Sequence, residues 1–198
     1  MTRRPEVGQA EILAVLEKKG AVLRGHFKLS SGRHSDLFVQ KFRVLEHPHL
    51  AERFGRELAR LFDADFDVVA SPAVGALVLG FATALAGDAR FIFAERVDEK
   101  LTFRRGFTIG PHERVLVVED VVTTGGSARE VVQAVRAAGG IPVGVGVLID
   151  RCDPSRPPDL GAPLRALVTL EVDSWAREEC PMCAEGRPLE DPGSRRLT

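Results

Sequence analysis

Four consecutive apolar residues, Val115 to Val118, run directly into Glu119 and Asp120 and then into Thr123-Thr124-Gly125-Gly126-Ser127, and this stretch limits the fold more than any other. An unbroken apolar run of that length reads as a strand buried on both faces, the pattern of a parallel sheet covered by helices. The two carboxylates would then stand at the carboxyl end of a central strand, where open α/β sheets place their ligands. The following loop has no bulk. Its glycines can take positive φ, so that successive backbone N–H groups converge on an anion. Ser127-Ala-Arg-Glu130 has capping-box spacing and predicts a helix whose positive end faces the loop.

A nest of N–H donors beside an acidic pair suits a sugar phosphate: the amides hold the phosphate while the carboxylates accept hydrogen bonds from neighbouring ribose hydroxyls. A strand, a turn and a capped helix with a solvated acidic pair is the plainer alternative. The chain has no Walker A lysine, which argues against a nucleoside triphosphatase. The segment resembles the motif with which type I phosphoribosyltransferases bind 5-phosphoribosyl 1-diphosphate (PRPP). That resemblance implies that Glu119 and Asp120 meet the ribose hydroxyls, that Thr123, Thr124, Gly125, Gly126 and Ser127 wrap the 5-phosphate, and that Val121 and Val122 join the two parts.

With 198 residues the chain suffices for one substantial core, so a single α/β domain with small appendages is expected. A formal charge of -1 leaves no electrostatic footprint for nucleic acid. No apolar run approaches a membrane span, and Met-Thr-Arg-Arg-Pro-Glu lacks the apolar segment of a signal peptide, so no membrane partner and a cytoplasmic location are expected. Three cysteines, an odd number, make no disulfide framework and fit a reducing compartment.

From the amino terminus, Ile12, Val15 and Leu16 share a helical face that Gly20 ends. Gly25 to Gln40 reads as two extended pieces joined by a turn at Ser30-Ser-Gly32. Pro48 opens a helix carrying Leu50, Phe54, Leu58, Leu61 and Phe62. Asp67 to Ala70 is a short strand, Ser71-Pro-Ala73-Val74-Gly75 a tight loop, and Ala76 to Ala86 a helix, a second strand-loop-helix unit suited to an anion. After a strand at Arg90 to Ala94, the run Glu95 to Gly106 alternates charges with few core residues and predicts a mobile cationic flap. Its rival is a solvated hairpin. The helix from Ser127 to Ala138 leads into a buried strand ending at Asp150-Arg151, where an arginine can pair bidentately with a carboxylate. Leu164 to Val172 gives a last strand. Cys180-Pro-Met-Cys183 has zinc-knuckle spacing, but structural sites take four ligands and Cys152 is the one remaining cysteine, so no metal is expected there.

Phe27-Lys-Leu-Ser-Ser-Gly-Arg33 with Ser35 resembles the base-covering segment of orotate phosphoribosyltransferases, and the similarity runs in order from about Gly25 through Arg151. It implies a type I phosphoribosyltransferase fold: a central parallel sheet flanked by helices, a hood over about residues 1–45, a flap over about 95–110 and a tail over about 174–198. Under this resemblance Ser71, Ala73, Val74 and Gly75 hold the pyrophosphate of PRPP. Arg96 and Lys100 act catalytically from a flap that closes over the neighbouring subunit of a homodimer, Asp120 fixes the sugar, and Arg151, Thr123 and Phe38 contact orotate. Mg²⁺ is the implied cofactor. Departures fall on Ser30, where many members carry lysine, and in the flap, where Val97 and Thr102 replace a basic residue and a histidine. A purine-base transferase and a non-catalytic nucleotide sensor are the alternatives.

Overall fold

In the computed structural model, residues 8–29 and 31–192 are described. Ser30, the first residues of the expected hood and the last of the tail lie outside them. Helix α1 (Gln9–Lys18) buries Ile12 and Leu16 and is followed by the hood strands β1 (Val22–Lys28) and β2 (His34–Val39). The short α2 (Phe42–Leu45) and the longer α3 (Pro48–Leu61) come next. Strand β3 (Val68–Pro72), helix α4 (Leu77–Ala86), and strands β4 (Arg90–Val97), β5 (Lys100–Phe103) and β6 (Arg114–Val122) continue the chain. Helix α5 (Gly126–Ala137), β7 (Ile141–Asp150) and β8 (Leu164–Thr169) complete the core. The tail adds β9 (Ser174–Trp175) and α6 (Pro181–Ala184).

The main sheet has the order β5-β4-β3-β6-β7-β8, parallel except at the edge strand β5. Alternation along β6 divides the core: Leu116 and Val118 join the cluster containing Leu16, Phe54, Leu58, Leu148 and Leu167, whereas Val115 and Val117 join the one containing Val131, Val132 and Val135 of α5. The apolar run is therefore continuous in sequence because both faces are covered. Close packing is enforced on β7, where a Cβ on Gly144 would lie 2.3 Å from Cε1 of Phe62.

Two consequences of this topology position the site. The chain leaves β3 toward one edge through β4 and later leaves β6 toward the other through β7, so the strand order reverses between the neighbours β3 and β6. A crevice opens at the carboxyl ends of such a pair. Over it stands the hood, a second sheet of order β1-β2-β9. The apolar pattern ends the core at Leu164–Val172 and carries no signal for where the tail goes. The chain instead returns to pair Ser174 and Trp175 with Ser35 and His34.

Candidate active site

The loops after β3 and β6 face each other across the switch point. Glu119 and Asp120 lie buried toward the carboxyl end of the central strand β6, which runs on through Val121 and Val122. Asp120 N–H donates to Oε1 of Glu119 at 3.0 Å, and Val121 N–H donates to Oδ1 of Asp120 at 2.6 Å. The ammonium of Lys41, two residues past β2, lies 2.5 Å from Oδ2 of Asp120. Sequence reading missed Lys41; only the topology brings it to the acid pair.

Burial, and then the neighbouring Asp120 carboxylate, push the Glu119 carboxyl up to about 8. Between the ordinary carboxylate range and that value the folded chain keeps a proton that the unfolded chain has released. Its stabilising contribution is thus full at low pH and declines as pH rises through about 8. Glu119→Gln removes this dependence. Its melting temperature relative to the parent should rise by about 2–5 °C between pH 6 and pH 9; melting curves that stay parallel would contradict the assignment.

The loop after β6 departs from the expected cap. Gly125, at φ 74°, is the N-cap of α5, the helix starts at Gly126, and no side chain caps it. Glu130 does not reach back to Ser127. Its carboxylate accepts the Leu101 N–H at 3.1 Å and pairs with Arg96 at 3.3 Å. The first N–H groups of a helix have no intrahelical partner, so this uncapped end beside Thr123 and Thr124 leaves donors that could meet an anion. Gly125 is also required by space, because a Cβ there would lie 2.3 Å from Cδ2 of Leu160.

On the other side of the crevice, the expected loop from Ser71 to Gly75 is shorter than its pattern suggests, because β3 runs on through Ser71 and Pro72; the turn that remains, Ala73, Val74 and Gly75, approaches Asp120. A Cβ on Gly75 would lie 2.2 Å from Oδ2 of Asp120 and 2.7 Å from Nζ of Lys41. The Ala73–Val74 peptide is cis, and the Ser71 hydroxyl is buried without a hydrogen-bond partner among the described residues.

Between the hood and the carboxyl ends of the strands lies a cleft of about 1530 Å³ lined by Lys28, Phe38, Thr123, Thr124, Arg151 and Asp173 among others. Arg151 is the informative member. Its Nε is buried without a hydrogen-bond partner among the described residues, and burial lowers the pKa of the guanidinium. A buried donor left unpaired is costly, and a carboxylate entering the cleft would satisfy it. Cys152 also lines the cleft, but burial and the Asp150 carboxylate push its thiol up to about 12, so it remains protonated and is no nucleophile.

Arg96 and Lys100 do not line this cleft. The flap is an ordered antiparallel hairpin in which Arg96 pairs with Leu101 and Val97 with Lys100. Arg96 is held by Glu130 and the Glu99 carbonyl, and Arg105 by Glu95. Within one chain Phe38, Thr123, Thr124 and Arg151 thus line the cleft, Gly75 approaches Asp120 on β6 just before the Thr123 loop, and the flap cations Arg96 and Lys100 stay outside the cleft lining.

No family model matches the chain. It is 50% identical over 188 residues, 94% of its length and 98% of the relative's, to an orotate phosphoribosyltransferase of Pelotomaculum thermopropionicum. Identity to one of Caldanaerobacter subterraneus is 46% over 188 residues, with the same coverage. Among solved structures, the orotate phosphoribosyltransferase of Mycobacterium tuberculosis superposes with a TM-score of 0.66 at 28% identity, covering 82% of this chain and 96% of that one.

Proposed function

This chain belongs to the orotate phosphoribosyltransferase family, and we propose that its crevice joins orotate to the ribose 5-phosphate group of PRPP, giving orotidine 5′-monophosphate and pyrophosphate. The observation that supports this reading is the proximity, at the carboxyl ends of the neighbouring strands β6 and β7, of an uncapped helix end, a buried acid pair and an arginine, Arg151, whose buried Nε has no hydrogen-bond partner among the described residues. The first suits a 5-phosphate, the second two ribose hydroxyls, and the third the orotate carboxylate, a group that purine bases lack.

As the bond from the anomeric carbon to pyrophosphate breaks, positive charge develops on the ribose and negative charge on the leaving group. Glu119 and Asp120 hold the hydroxyls of that ribose, and the amides of Thr123 to Ser127 fix its far end, so the anomeric carbon is presented to the base with little freedom. The loop at Ser71 to Gly75 receives the pyrophosphate. Phe38 lines the cleft with the buried Phe27 ring tilted against it, centroids 5.7 Å apart, and gives the hood an apolar surface that would meet the base and exclude water.

Mg²⁺ fits this donor set, because Glu119 and Asp120 offer adjacent hard oxygen atoms without forming a complete cage, and a bound dication would favour release of the proton that burial keeps on Glu119. Glu119 and Asp120 would hold it with water and substrate oxygens, and it would neutralise charge on the diphosphate.

Arg96 and Lys100 act, on this reading, across the interface of a homodimer, closing over the partner's pyrophosphate. An exposed apolar row on α4, Val78, Phe81 and Leu85, with Val74 beside it, supports a subunit contact at this face. Among the described residues no helix is long and apolar enough to cross a membrane. The setting proposed for the reaction is the cytoplasm. Lys100→Ala is expected to lower kcat about 100-fold with little change in PRPP affinity; comparable losses in both would remove Lys100 from the transition state.

The test of the reaction is direct: protein, Mg²⁺, PRPP and orotate are mixed and the loss of orotate absorbance is followed, with purine bases as controls. Turnover with a purine and none with orotate would overturn the choice of substrate.

A further inference from the structure

The hood and the tail meet at a cluster of four side chains that the transferase chemistry does not use. His26 of β1, His34 of β2, and Cys180 and Cys183 at the start of α6 place one ligand atom each within 4.8 Å of all the others. Nε2 of His26 is 2.9 Å from Nδ1 of His34, 3.5 Å from the Cys180 sulfur and 3.7 Å from the Cys183 sulfur, and the Cys183 sulfur is 3.2 Å from Nδ1 of His34. Tetrahedral zinc, with bonds of about 2.0–2.1 Å to nitrogen and 2.3 Å to sulfur, sets its ligand atoms roughly 3.3–3.8 Å apart. The contacts of 3.5 and 3.7 Å from the sulfurs to His26 lie inside that range, the 3.2 Å contact from Cys183 to His34 lies just under it, and the 2.9 Å contact between the two histidines is the one that must open by a few tenths of an ångström.

The surroundings select a cation. Nδ1 of His26 lies 3.0 Å from the Arg187 carbonyl, and the N–H donated there leaves Nε2 with its lone pair directed into the cluster. A backbone carbonyl behind a ligating imidazole is the usual way in which a metal-bound histidine is oriented. His26, His34 and Cys180 are buried, which disfavours charged rings and lone thiolates. Two neutral imidazoles, two thiolates and one divalent zinc sum to zero charge, so the burial cost falls away on binding.

We propose that His26, His34, Cys180 and Cys183 form a structural zinc site that clips the carboxy-terminal tail to the hood. Four protein ligands leave no open position, which separates this site from a catalytic one. The clip has supports on either side of it. Glu190 N–H donates to the His26 carbonyl, Lys28 N–H donates to the Glu190 carbonyl, both at 2.8 Å, and Arg33 Nε donates to the Ser174 hydroxyl at 3.0 Å. The ligands come from positions about 150 residues apart in sequence, 149 for His34 and Cys183. Closing so long a loop with a metal restricts the unfolded chain strongly. Because β1 and β2 also carry Lys28 and Phe38 on the cleft, the zinc fixes the hood that covers the base.

The test is metal analysis of the untagged full-length protein, purified under reducing conditions and exposed to stoichiometric zinc. About one zinc per chain is expected, falling at least tenfold in Cys183→Ser and in His34→Ala, and unchanged in Cys152→Ser, whose thiol lies outside the cluster. Cobalt substituted for zinc should show thiolate-to-metal charge transfer and the intense visible bands of a tetrahedral ion. Removal of the metal should lower the melting temperature by at least about 5 °C and raise the KM for orotate more than that for PRPP. Wild-type protein that binds less than about a tenth of a zinc per chain would overturn the proposal, as would a Cys180–Cys183 disulfide in place of metal or a cobalt spectrum without thiolate bands. Since metal content is read without turnover, it stands or falls separately from the transferase reading.

Discussion

Arg151→Ala should reduce kcat/KM for orotate by about 100- to 1000-fold while leaving PRPP affinity within about twofold. Arg151 follows directly on β7, its Nε is buried without a partner among the described residues, and the cleft that it lines is also lined by Phe38 and Thr123. Losing a bidentate charge-assisted pair costs about 1.5–3 kcal/mol, and the orotate carboxylate left unpaired in the cleft adds to that. Arg151→Lys should recover little of the loss, because a single ammonium cannot reproduce the planar fork. Steady-state kinetics with each substrate varied in turn, beside a melting curve, checks this. Equal damage to both substrates would show that Arg151 supports the crevice instead of reading the base.

Gly75→Ala should be nearly as damaging, and on the other substrate. The added methyl would lie 2.2 Å from Oδ2 of Asp120 and 2.7 Å from Nζ of Lys41. Lysine can swing away; Asp120 cannot do so freely, since it belongs to β6 and its other oxygen accepts the Val121 N–H at 2.6 Å. The loop must therefore withdraw or the acid pair must rotate, and either change removes PRPP contacts. PRPP affinity measured calorimetrically with Mg²⁺ is expected to fall about 100-fold, with melting temperature changed little. Affinity equal to the parent's would separate the loop after β3 from the pyrophosphate.

What the sequence revealed follows the range of the interactions concerned. Val115 to Ser127 was legible because strand, acid pair, loop and helix are contiguous, and each is signalled by local chemistry: apolar continuity, adjacent carboxylates and glycines. The fold class follows from the same feature, since a strand buried on both faces requires helices on both sides. The cap was misread for a reason local patterns cannot show. Ser127 and Glu130 have the right spacing, but the left-handed Gly125 starts the helix earlier, and Glu130 is engaged by Arg96 and by the Leu101 N–H across the sheet edge. Lys41 carries no local mark, and only the passage of the chain beneath the hood takes it to Asp120. Cys180 and Cys183 were half a motif, because the two histidines that join them sit at the other end of the chain, one on each strand of the hood hairpin.

The flap is the least local part. Its charges were legible, whereas their pairing within one chain depends on Glu130 and Glu95, and their proposed work depends on a second subunit. Light scattering of the protein at several concentrations tests that subunit, and Phe81→Glu on the exposed row of α4 is expected to shift the mass toward that of a single chain.

The most direct measurement is a crystal structure of the protein with Mg²⁺ and PRPP. The expected result is one PRPP whose ribose hydroxyls lie within hydrogen-bond distance of Glu119 and Asp120 and whose 5-phosphate is held by the amides of Thr123 to Ser127. A 5-phosphate bound elsewhere, with the end of α5 filled by water and the acid pair turned from the sugar, would contradict it.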